Sequence, residues 1–230
     1  VRKAEPKDIA ILARSVKVRG ERIARALRNY AVQAHIEDDD DFFDTVEVSI
    51  AISLFSCIDN MKRDVPLIAT LHSEIFDWSP EELARVRIDS RNSIPYGADS
   101  YSRRTAYWEA LLWYAESGPD ADLKGKARFA RDTILGWRQL SNMMPLEDFI
   151  WKVLIDSNYY LKVGAMYGGD RRQANLRVLV DRARKFTEDT VAGLSSFIDY
   201  VEVMKKQGVN NGQTGMVGKD DNVVKITTIH

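Results

Sequence analysis

Apolar and polar positions divide the chain into three stretches. In the first forty residues, short apolar runs flank one helical pattern. Asp8-Ile9-Ala10-Ile11-Leu12-Ala13 is a continuous run that predicts a strand buried on both faces. Between residues 19 and 30, Ile23, Ala26, Leu27 and Tyr30 recur at spacings of three and four, which predicts a helix. Ala31 to Ile36 alternates like a second strand, so the order β-α-β predicts a parallel, right-handed crossover.

From about residue 46 to 206 the period is helical throughout. The predicted core stripes are Ala51, Leu54, Phe55, Ile58 and Met61; Trp108, Leu111, Leu112 and Ala115; Leu123, Ala127, Ala130, Ile134 and Trp137. Further along they are Leu146, Phe149, Ile150, Val153 and Leu154; Leu176, Val180 and Ala183; Val191, Leu194, Ile198 and Val201. Ser79-Pro80-Glu81-Glu82 carries the marks of a helix start, with Ser79 as N-cap and Glu82 closing a capping box. Residues 208–222 are rich in Gly and Asn, have no apolar period, and predict a flexible linker. Val223 to Ile229 is β-branched and predicts a last strand. Strands at both ends around a long helical block suggest one α/β domain, continuing beyond His230, that carries a helical insertion.

Composition narrows the chemistry. A net charge of -1 and a pI near 6.4 argue against tight nucleic-acid binding by this piece alone. The single cysteine, Cys57, rules out an intrachain disulfide and lies in an apolar helical run, where a buried structural thiol is expected. No apolar run approaches the roughly 20 residues of a membrane span. There is no phosphate loop of the G-x-x-x-x-G-K-[ST] type. The three histidines, His35, His72 and His230, have no metal-ligand spacing. The run Asp38 to Asp41 reads as a solvated turn rather than a cation site. Charged pairs at helical spacing, such as Arg177 with Asp181, read as solvated faces. Gly168-Gly169 before Asp170-Arg171-Arg172 reads as a helix start with Asp170 as cap, whose amides could also hold an anion. Arg14 stands at the end of the first strand, where ligands gather in open parallel sheets. An arginine there suits bidentate phosphate recognition, and a surface salt bridge is the equal alternative.

These segments resemble a known family. Asp8 to Ser15 resembles motif IV of UvrD/RecB-like superfamily 1 helicases, and Val224 to His230 resembles the opening of their motif V. Between them the resemblance narrows to the A subunits of AddAB (RexAB) helicase-nucleases. It is carried by Phe43 to Val48, by Ile58-Asp59-Asn60 with Asp64-Val65-Pro66-Leu67, by Trp137-Arg138 and by Ile150-Trp151. The most specific stretch runs from Gly168 to Leu176 and from Asp181 to Phe186. The family has Gly-Tyr before Phe43, where this chain has Asp41-Phe42.

The resemblance implies a mainly α fold: a helical 2B-like insertion on a partial RecA-like 2A domain formed by the two chain ends. Residues 1–45 and 223–230 would be 2A-like, 46–207 would be 2B-like, and 208–222 would be the linker. It implies ATP and Mg²⁺ as cofactors of the full-length protein, with Arg14 reaching the nucleotide. Thr228 and His230 would meet single-stranded DNA. The 2B-like lobe would meet duplex. Apart from the resemblance, the few phosphate contacts a chain of this charge can make are expected at the helix starts at Ser79, where Glu81 and Glu82 oppose them, and at Gly169, Arg171 and Arg172. A second helicase-nuclease subunit would be the partner, the compartment the cytoplasm, and the role DNA double-strand break repair and recombination. The fragment alone would be inactive and would bind no metal. A UvrD-type helicase without nuclease, and a stand-alone helical interaction module, are the competing readings.

Overall fold

A computed structural model describes residues 3–14, 16–36, 42–93, 106–189, 193–207 and 222–228. The chain divides into two compact units. One holds residues 1–45 and 204–230, the other residues 46–203.

In the first unit, β1 (Ala10–Ala13), α1 (Val16–Arg28) and β2 (Ala34–Ile36) follow one another, and β3 (Val224–Thr228) returns from the far end of the sequence. The sheet has the order β1-β3-β2, and β3 runs parallel to both neighbours. β1 and β2 are therefore not direct partners, because β3 takes the place between them. The Val224 amide donates to the Gln33 carbonyl at 2.9 Å and the Lys225 amide to the Ile9 carbonyl at 3.1 Å. One face of the sheet packs on α1, where Ala24 and Ile226 are buried among Ile11, Ala13, Ile23, Leu27 and Ala34.

Both early strands are shorter than their apolar runs predict. Pro6–Asp8 forms a single 3₁₀ turn, closed by the Glu5 amide donating to the Asp8 carboxylate at 2.9 Å, so β1 begins only at Ala10. Residues 31–33 serve the exit from α1. The Val32 amide donates back to the Leu27 carbonyl with Ala31 left-handed at φ 57°, a Schellman-type stop in which alanine stands where glycine is usual. Nor is β1 buried on both faces: Ile11 and Ala13 turn toward α1, whereas Leu12 is 62% exposed on the other side.

The second unit is helical: α2 (Val46–Asp59), α3 (Asp64–His72), α4 (Pro80–Ser93), α5 (Tyr107–Ser117), α6 (Ala121–Leu140), α7 (Leu146–Asp156), α8 (Tyr159–Gly164), α9 (Gly169–Asp189) and most of α10 (Leu194–Gln207). The predicted stripes of α6 and α7 are buried at every position. α2 is wider than a stripe. Val48, Ile52 and Cys57 are buried along with Ala51, Leu54, Phe55 and Ile58, as in a helix surrounded by others. Met61 lies beyond its end and is only half-buried. α6 starts on Asp120, whose carboxylate accepts from the Asp122 and Leu123 amides. Among the described residues no helix is long and apolar enough to cross a membrane.

Glycines in helices test this packing in opposite directions. A Cβ at Gly125 or Gly136 of α6 would meet nothing within 4 Å. At Gly169 it would strike the Gly164 carbonyl oxygen, where α8 ends against the start of α9. Gly125→Ala and Gly136→Ala should each raise stability by about 0.5–1 kcal/mol, read from urea unfolding. Gly169→Ala should lower it by about 1–3 kcal/mol, the cost of an overpacked contact. A neutral Gly169→Ala variant would contradict the close approach of α8 and α9.

Candidate nucleotide and DNA contact sites

The three parallel strands end at one edge of the sheet. Register pairs Ala13 with Thr228, so Arg14 follows β1 beside the last residue of β3. β2 ends at the same edge with Ile36, in register with Ile226. The motif IV-like arginine and the motif V-like threonine are thus neighbours along the carboxyl ends of adjacent strands, where open parallel sheets bind ligands. Arg14 is exposed and, among the described residues, makes no ion pair. The side chain of Thr228, all of His230 and the run Asp38 to Asp41 lie outside the described residues, as do 208–221 of the expected linker.

In the second unit, two of the segments that carry the family resemblance meet at one buried carboxylate. Glu47, on the first turn of α2, is 5% exposed. Its carboxylate accepts from Arg172 at 3.1 Å and from Asn175 at 2.6 Å, both on α9, and its backbone carbonyl accepts from the Tyr159 hydroxyl at 3.2 Å. Burial pushes the Tyr159 hydroxyl far above its ordinary range, so it stays a neutral donor. Arg138 of α6 donates to the Ile58 and Asp59 carbonyls at 3.2 and 2.6 Å and so caps the last turn of α2. Asp64 accepts from Arg87 at 2.9 Å and from the Tyr107 amide at 2.6 Å, tying α3 to α4 and to the start of α5. Sequence reasoning did not single out Glu47. Its signal was its place at the head of an almost wholly apolar helix, where a charge needs a partner.

The start of α9 departs from the expectation. Asp170 lies inside the helix rather than capping it. Gly168 precedes the helix at φ +71°, and its carbonyl accepts from the Arg172 amide at 3.2 Å. The Gly169 amide is held by the Met166 carbonyl at 2.9 Å. Arg172 is turned inward to Glu47, while Arg171 is exposed.

At α4 the capping box is formed. The Glu82 amide donates to the Ser79 hydroxyl at 3.2 Å, and the Ser79 amide donates to the Glu82 carboxylate at 2.8 Å. Lys126 completes it at 2.8 Å from Glu82. Burial pushes the Glu82 carboxyl upward, but its bonds from Lys126 and the Ser79 amide outweigh that and hold it below the usual carboxylate range. Glu81 is also held low, by its own backbone amide and by the Ser79 hydroxyl. Ser79 therefore sits between two ionised carboxylates.

Cys57 is buried, and burial pushes its thiol up to about 12, as befits a structural thiol rather than a nucleophile. Arg177 does not pair with Asp181. It donates to the Tyr160 hydroxyl at 2.7 Å, and Asp181 takes Arg184 at 2.9 Å. Among the described residues no group of three His, Cys, Asp or Glu side chains converges as metal ligands would.

No family model matches the chain. Over its whole length it is 34% identical to the A-type subunit of the ATP-dependent helicase/nuclease of Syntrophomonas wolfei subsp. wolfei. It is 33% identical over its whole length to the corresponding helicase/nuclease subunits of Alkaliphilus oremlandii and Clostridium novyi. The chain spans 18% of the length of each.

The Glu47 cluster makes a direct prediction. Arg172→Leu leaves a buried carboxylate with Asn175 alone. Stability in urea should fall by about 2–3 kcal/mol, less than for a fully buried pair because Arg172 is partly exposed. Arg171→Leu, one residue away on the surface, should change stability by no more than about 0.5 kcal/mol. Equal effects at the two positions would refute the assignment of Arg172 to Glu47.

Proposed function

We propose that this chain, related over its whole length to A-type helicase/nuclease subunits, is the part of such a protein that presents an arginine to the nucleotide and a helical unit to DNA. In this reading residues 1–45 and 223–230 belong to a RecA-like 2A domain, 46–207 form the 2B-like insertion, and 208–222 link them. The parent protein would be an ATP-dependent DNA helicase and nuclease in the cytoplasm, acting with a second subunit in repair of double-strand breaks.

The observation that carries this reading is the sheet edge where Arg14 and Thr228 are neighbours. Arg14 fits a phosphate. It is exposed and carries no ion pair among the described residues, and its planar guanidinium can grip two oxygens at once. ATP, when bound to the parent protein, supplies the phosphoryl bond whose hydrolysis drives the motor. Arg14 would hold its terminal phosphates and neutralise the charge that builds there. Mg²⁺ is proposed to accompany that ATP in the parent protein.

Thr228 and His230 are proposed to meet the single strand at the same edge. For duplex contacts the geometry favours Arg171 among the helix-start residues. Arg172 is engaged with Glu47, the Gly169 amide with Met166, and Ser79 lies between Glu81 and Glu82.

The test is Arg14→Ala in the intact parent protein. DNA-stimulated ATP turnover should fall at least about a hundredfold with the fold intact. Arg14→Lys should recover little, since one ammonium cannot reproduce the fork. Near-normal turnover in Arg14→Ala would make Arg14 an ordinary surface residue and overturn its assignment to the nucleotide.

A further inference from the structure

One cluster of the helical unit takes no part in the Glu47 network or in the capping box. Trp151 on α7, Tyr160 on α8 and Arg177 on α9 form a ladder across three packed helices. The Trp151 and Tyr160 rings meet edge to face, with centroids 5.0 Å apart and planes at 65°. Arg177 donates from Nε to the Tyr160 hydroxyl at 2.7 Å, and its guanidinium lies 5.7 Å from the centre of that ring. Tyr160 is itself fixed, because its backbone carbonyl accepts from Gln173 at 3.0 Å.

Two features of this ladder point to a ligand. Trp151 is 37% exposed, outside the buried stripe of its helix and on the same helix as the 40% exposed Ile155. Arg177 is oriented by two contacts with the Tyr160 side chain, and among the described residues it makes no ion pair; the carboxylate one turn away, Asp181, is taken by Arg184. Its positive charge is thus held in place but not compensated, and both terminal amino groups remain available for a phosphate. An exposed indole and an oriented guanidinium on the two sides of one tyrosine are groups that can bind an unpaired nucleotide, one stacking on the base and the other gripping the backbone.

We propose that Trp151, Tyr160 and Arg177 form a binding site for unpaired nucleotides of single-stranded nucleic acid, with the base on Trp151 and its phosphate on Arg177. The proposal rests on the reading of this unit as DNA-contacting and adds a strand type and a site to it. A duplex offers no free base face to stack on, so the site discriminates against paired DNA. It is separate from the proposed duplex contact at Arg171.

The experiment is photocross-linking in the intact parent protein. A single-stranded oligodeoxynucleotide carrying 5-iodouracil is irradiated at low salt, and cross-linked peptides are mapped by mass spectrometry. The cross-link should fall on Trp151 or Tyr160, and a fully paired duplex of the same sequence should give none there. Arg177→Gln, a change on the exposed face of α9, should weaken the cross-link about tenfold or more and lower the salt dependence of single-strand binding by roughly one phosphate contact. Trp151→Ala should abolish it, and Trp151→Phe should keep most of it. Single-strand cross-links confined to other peptides would overturn the site while leaving the DNA-contacting reading standing. Absence of any DNA binding by the parent would overturn both. Unchanged cross-linking in Trp151→Ala, with association of the partner protein lost instead, would assign the ladder to a protein interface and refute the proposal.

Discussion

The return of β3 to a place between β1 and β2 is the constraint on which the first unit depends. Parallel strands cannot be joined by a tight turn, and each needs a crossover before it can pair. Here one crossover is α1 and the other is the entire stretch from β2 to Val224. Ile226, fully buried under α1, is the residue that makes the pairing worthwhile, since it joins Ile11, Ala13 and Ala34 in one apolar layer. The same parallel register sets Thr228 beside Ala13 and so brings Arg14 and Thr228 to one edge. The proposed nucleotide and single-strand contacts are thus consequences of how a short sheet closes.

In the helical unit a different interaction has the organising role. A buried carboxylate on the first turn of an apolar helix needs hydrogen-bond partners, and Glu47 finds them on α9. That choice fixes the direction of Arg172, leaves its neighbour Arg171 to solvent, and draws the start of α9 against the end of α8, where only glycine fits at position 169. Segments far apart in sequence that share a family resemblance are therefore also joined in space: Phe43 to Val48 supplies Glu47, and Gly168 to Leu176 supplies its partners.

Much of this was legible in the sequence, and the failures have physical causes. Periodicity located the helical block and the α6 and α7 stripes, because each buries a single face. It undercounted α2, which is enclosed on nearly all sides, so the predicted stripe covers only part of its buried surface. The Ser79 cap was legible because its bonds are local, with Ser79 and Glu82 three residues apart. Glu47 with Asn175, and Arg138 with the end of α2, were not, because those bonds join residues distant in sequence. Arg177 was misread for the same reason. Spacing offered Asp181, but Tyr160 on the neighbouring helix lies closer to its guanidinium. Strand lengths were overcalled, because apolar residues near a helix exit or a 3₁₀ turn look like strand until the backbone hydrogen bonds are traced.

The most direct test of the sheet as the basis of the proposed site is amide hydrogen exchange on Ile226→Glu. In the unaltered chain the Val224 and Lys225 amides, bonded to Gln33 and Ile9, should exchange slowly. In Ile226→Glu, protection at these amides and in α1 around Ala24 should be lost together, while the amides of α2 around Leu54 and Phe55 keep theirs. Retention of slow exchange at Val224 and Lys225 would contradict the account, because the edge that holds Arg14 and Thr228 would then not depend on this core.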